Sequence, residues 1–122
     1  MRPLYMLMMV ASLTIAGFAL TLHAGVSNTS IGAGRTFMLG GGQQLPLRIE
    51  ARNDSRATVE ILLLADGKET AVGILKPGKS ASLQLPRKTT ALLRNTSKIT
   101  ATVHITGRIG GLSMSYENGD GL

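Results

Sequence analysis

Beyond residue 24 the chain carries one histidine, His104, and no cysteine. Zinc takes three or four nitrogen, sulfur or oxygen ligands, and neither a second histidine nor any thiolate is there to join His104. A nucleophilic triad would have to be built around the same residue, yet no serine stands in a Gly-x-Ser-x-Gly context. Strand alternation turns His104 outward with Thr100, Thr102 and Thr106, opposite Ile99, Ala101, Val103 and Ile105. Enzyme activity is therefore not expected, and neither is a metal or a cofactor.

The carboxylates point the same way. Glu50 and Glu60 fall on the outward faces of two successive strands beside Arg48, Arg52 and Thr58, where cross-strand salt bridging is their expected role. Glu117-Asn118-Gly119-Asp120 lacks the ligand spacing of a calcium loop. Gly32-Ala33-Gly34 and Gly40-Gly41-Gly42 lack the following helix and lysine that make a phosphate loop.

The cations are more informative. Arg52 and Arg56, Lys76 and Lys79, and Arg94 and Lys98 mark three polar segments that each separate two apolar stretches. If consecutive strands run antiparallel, alternate turns share one end of the molecule, and these three share it with a single carboxylate, Asp54. Asp66, Lys68, Glu69, Arg87, Lys88 and Arg108 fall to the opposite end, which is mixed. A polarised end of this kind attracts anionic polymers and weakens as salt screens it. Arg52, Arg56, Lys76, Lys79, Arg94 and Lys98 are accordingly the candidate anion-binding residues.

The elements that must position them are short strands. Leu45, Leu47, Ile49 and Ala51 alternate with polar residues, as do Ala57, Val59, Ile61 and Leu63, then Ala81, Leu83 and Leu85, and finally Ile99 to Ile105. Asp66-Gly67 is a hairpin signal, and Pro77-Gly78 suits a tight turn. With Arg35–Leu39, Thr70–Leu75, Thr89–Arg94 and Leu112–Tyr116 added, the pattern predicts seven to eight strands and no helix. The expected fold is one small antiparallel β-sandwich, immunoglobulin-like or jelly-roll-like, with closure into a barrel left open. Leu62 and Leu64 fall on the outward side of their strand, so they are the candidate interface.

Arg2 followed by an uncharged run from Pro3 to Leu22 and a small residue at Ala24 reads as a secretory leader over residues 1–24. The same run approaches the length of a spanning helix, so residues 3–22 could instead remain as an anchor. Cleavage after Ala24 leaves 98 residues, enough for one core. With 13 Lys and Arg against 7 Asp and Glu the chain carries +6, and loss of Arg2 leaves +5. The expected organisation is a flexible lead-in over 25–34, a sandwich over 35–117 and a frayed tail over 118–122.

Residues 52–58 and 94–100 share Arg, Asn, Ser and Thr at equivalent positions, each copy between two strands. Asn and Ser side chains bond to nearby backbone amides, so Asn-x-Ser reads as a turn device on which two segments converged. Asn28, Asn53 and Asn95 also satisfy the glycosylation pattern, with Asn28 the best placed.

Two functions are expected from this reading. The first is a non-catalytic, exported component of the cell envelope or exterior, periplasmic or secreted, that meets an unidentified envelope or extracellular protein. The alternative is a module for glycan or another anionic polymer, with anionic polysaccharide, lipopolysaccharide or an anionic membrane surface as its partner. Nucleic acid is disfavoured, because single-strand binding folds stack bases on aromatic rings and only Phe37 and Tyr116 are aromatic past residue 24.

Overall fold

The computed structural model describes residues 23–117. The expected leader lies outside these residues apart from His23 and Ala24, and the expected tail over 118–122 lies outside them altogether. Nine strands form among the described residues: β1 (His23–Ile31), β2 (Thr36–Gly40), β3 (Leu47–Asn53), β4 (Val59–Ala65), β5 (Lys68–Leu75), β6 (Ser80–Leu85), β7 (Thr90–Asn95), β8 (Ala101–Gly110) and β9 (Met114–Tyr116). They make two antiparallel sheets, β1-β8-β3-β6 and β5-β4-β7-β2-β9. We refer to these as the first and second sheets.

The chain behaves as one long hairpin rolled onto itself. β1 pairs with β8, β2 with β7, β3 with β6 and β4 with β5, so successive pairs alternate between the sheets. This nesting is the jelly roll, and it decides between the two expected sandwich types. The tip of the ribbon is Asp66-Gly67, whose φ values of 52° and 76° are those of a turn that matches strand twist. Ile49, Ala51, Val103 and Ile105 of the first sheet meet Leu39, Val59, Ile61 and Leu93 of the second in one aliphatic core.

Several expectations are corrected. Within the expected lead-in, residues 25–31 belong to β1, which pairs with β8 from Gly25 opposite Gly107 to Ile31 opposite Ala101. β1 is an edge strand that buries Thr29 and Ile31, so backbone pairing holds it rather than an alternating apolar face. Leu45 precedes β3 and is 68% exposed, and Ile99 precedes β8 and is 49% exposed, so neither extends the inward row its strand begins. β3 and β4 lie in different sheets, so Glu50 and Glu60 are not cross-strand neighbours.

The repeat is also wider than one pair of turns. A shift of 42 residues, the separation of Asn53 and Asn95, carries β1–β4 onto β5–β8 to within a few residues each. The same exchange turns the order β1-β8-β3-β6 into β5-β4-β7-β2, which is the second sheet without β9. The two halves of the chain therefore build equivalent halves of the fold.

Candidate anion-binding end

Four connections cross between the sheets at one end: 32–35, 54–58, 76–79 and 96–100. Backbone bonds fix their order. Gly34 N donates to Asn95 O at 3.0 Å and Asn95 N to Arg35 O at 2.9 Å, which joins the first turn to the segment 96–100. Thr96 N donates to Thr58 O at 3.1 Å, joining that segment to 54–58. Asn53 N donates to Lys79 O at 2.9 Å and Gly78 N to Asn53 O at 2.8 Å, joining 54–58 to 76–79. The four turns thus lie side by side in the order 32–35, 96–100, 54–58, 76–79.

Two fully buried asparagines brace this end. Asn53 Nδ2 donates to Ala57 O at 2.7 Å and Leu75 O at 3.0 Å, while its Oδ1 accepts from Ser55 N and Oγ. Asn95 Nδ2 donates to Ile99 O at 2.7 Å and Ile31 O at 2.9 Å, and its Oδ1 accepts from Ser97 N and Oγ. Each side chain saturates carbonyls that a turn would otherwise leave buried and unpaired. The turn reading of Asn-x-Ser describes both sites, and the burial of Asn53 and Asn95 leaves neither open to a glycan. Asn28 is exposed, with Oδ1 2.6 Å from His104 Nδ1.

The six candidate cations separate into two groups. Arg56, Lys76, Lys79 and Lys98 are exposed on three adjacent turns, and no side-chain partner is found for them among the described residues. Arg52 and Arg94 are engaged. Arg52 Nε and Nη2 donate to Asp54 at 2.6 and 3.1 Å, which holds the carboxyl below its ordinary range, with smaller contributions from the charges on Arg52 and His104. The same bond raises the Arg52 guanidinium above its usual value. Asp54, the one carboxylate within the four turns, is therefore already matched. Arg35, which the sequence reading did not include, stands half-buried in the first turn.

Arg94 turns its guanidinium away from the turns toward Glu69. Its Nη2 reaches Glu69 at 3.3 Å and its Nε donates to Thr36 Oγ1 at 3.1 Å. On β4, Arg94 lies opposite Glu60 and Glu69 opposite Leu64, so the ion pair crosses that strand over Leu62. Leu62 is 5% exposed and Leu64 half-buried, and Leu92 beside Leu62 is buried too. Of the candidate interface, Leu62 is therefore buried and Leu64 only half-exposed to a partner.

The outer face of the first sheet holds a shallow depression of about 180 Å³ lined by Glu50, Ala51, Arg52, Ser80, His104 and Thr106. Glu50 accepts from Ser82 Oγ at 2.8 Å, and Ser82 Oγ accepts from Arg48 Nη1 at 2.7 Å. His104 is half-buried here rather than bare. Among the described residues no group of three or more His, Cys, Asp and Glu could hold a metal ion.

The sequence matches no family model and no curated protein. Solved structures resemble it in fold. An oxalate oxidase is similar with a TM-score of 0.55 at 10% identity, over 75% of this chain and 44% of that one. An oxalate oxidase in complex with the substrate analogue glycolate gives 0.55 at 11% identity, over 74% and 45%. The Drosophila melanogaster CENP-C cupin domain reaches 0.49 at 13% identity, over 67% and 59%. The chain spans less than half the length of the oxalate oxidases, and identities this low speak to the β fold alone.

Proposed function

We propose that this chain is a non-catalytic, exported binding module that holds an anionic polymer on the end formed by its four sheet-crossing turns. One observation carries the reading: Arg56, Lys76, Lys79 and Lys98 stand exposed and unpaired on adjacent turns, while Asp54, the one carboxylate within those turns, is bonded to Arg52. Uncompensated cations on a braced backbone give a local positive field that acts without side-chain chemistry. The competing reading, a protein interface at Leu62 and Leu64, is weakened because Leu62 is buried and Leu64 half-buried.

Retention on immobilised heparin at rising salt tests the proposal. The wild-type protein is expected to bind at low salt and to elute as salt screens the contacts. A variant with Arg56, Lys76, Lys79 and Lys98 each changed to Gln is expected to pass through unretained. Equal retention of the two proteins would overturn the proposal.

A further inference from the structure

Resting on that reading, we propose that the polymer is a linear anionic polysaccharide lying lengthwise along the row of turns, so that the site recognises an extended run of charges rather than a single anionic group. The turns form one continuous row, because each bonds to the next: 32–35 to 96–100, 96–100 to 54–58, and 54–58 to 76–79. Neighbouring strands lie about 4.8 Å apart, so four turns span roughly 14 Å. The free cations occupy three consecutive positions along it, with Lys98 first, Arg56 next, and Lys76 and Lys79 last. No single turn gathers enough cations to enclose a compact anion, whereas an extended chain meets one or two at each step.

Two further observations fit a stretched ligand. Arg52 ties up Asp54 in the middle of the row, so no free carboxylate lies within the four turns. Asn53 and Asn95 fix the backbone of the two central turns, so binding orders side chains and leaves the loops as they are. The choice of polysaccharide follows from the aromatics. Phe37 is buried and packs edge-on against Tyr116, whose hydroxyl donates to Ser30 O at 2.6 Å, so neither ring is offered to stack bases at this end. A row one turn wide also suits a chain better than the plane of a bilayer.

Calorimetric titration with galacturonate oligomers of increasing length tests the inference, using the wild-type protein, the four-cation variant and Lys98→Gln. Affinity is expected to rise from dimer to octamer on the order of tenfold or more as successive charges engage. Lys98→Gln should lower octamer affinity several-fold and dimer affinity by less. If dimer and octamer bind alike, and the four-cation variant still abolishes both, the lengthwise arrangement is wrong while the basic end stands as the binding surface. Absence of binding at every length at low salt, with heparin also unretained, would defeat the polymer reading itself. Tighter binding of an oligothymidylate of equal charge, or of anionic phospholipid vesicles, would overturn the assignment to polysaccharide.

Discussion

Asn53 and Asn95, one at the end of β3 and one at the end of β7, make the same hydrogen bonds. Each Oδ1 accepts from the serine two residues on, and each Nδ2 donates to the carbonyl four residues on and to the last residue of a strand in the other sheet, Leu75 or Ile31. The turns they brace also correspond. Gly34 and Gly78 both have φ of 74° and both donate to the carbonyl of the asparagine beside them. Left-handed backbone at these positions favours glycine. The basic end is therefore built twice from one device, which is why its four turns align.

Asn53→Ala and Asn95→Ala should each destabilise the fold severely. Asn53→Ala strands the buried carbonyls of Ala57 and Leu75, Asn95→Ala that of Ile31 along with the part-buried carbonyls of Gly32 and Ile99, and an unsatisfied buried polar group costs about 1–3 kcal/mol. A loss of about 3 kcal/mol is expected for each, read from denaturant unfolding. Changes under about 0.5 kcal/mol, the range of ordinary surface substitutions, would show that water replaces the side chains.

Leu62 should behave as a core residue despite facing away from the core. Leu62→Ala is expected to cost about 2–3 kcal/mol, as buried leucine truncations do, and Leu64→Ala clearly less. Glu69→Gln should cost only about 0.5 kcal/mol, because the pair with Arg94 is partly exposed and screened. A Leu62→Ala protein as stable as wild type would contradict the burial of that leucine.

The Arg52–Asp54 contact sets a pH signature. The Asp54 carboxyl is depressed in the folded state, mainly by its hydrogen bond from Arg52, so its contribution is present above the unfolded carboxylate value and is lost as pH falls through the folded one. Asp54→Asn should remove that increment at neutral pH and flatten the acid side of the stability curve. Parallel curves for the two proteins in unfolding scans across the acid range would contradict this.

Much of the architecture was legible. Ile49 and Ala51, Val59 and Ile61, and Ala101, Val103 and Ile105 face the core as alternation requires, and Asp66-Gly67 turns where its residue types demand. β1 was not legible, because Gly25 to Ser30 offers only Val26 as a large apolar residue and its stability lies in pairing with β8. The gathering of the three basic turns followed from antiparallel alternation alone. The departure of Arg94 did not, since its partner Glu69 is 25 residues away in sequence and two strands across, and register is invisible without the fold.

The central claim is that the position of the cations matters, beyond their number. Two variants of equal net charge separate these alternatives: Arg56→Gln with Lys76→Gln and Lys98→Gln at the basic end, and Lys68→Gln with Arg87→Gln and Lys88→Gln at the other. Comparison of their heparin elution at matched salt is the most direct measurement. The account predicts that the first variant loses retention and the second elutes close to wild type. Equal loss in both would mean that overall charge alone holds the polymer, which contradicts a binding end.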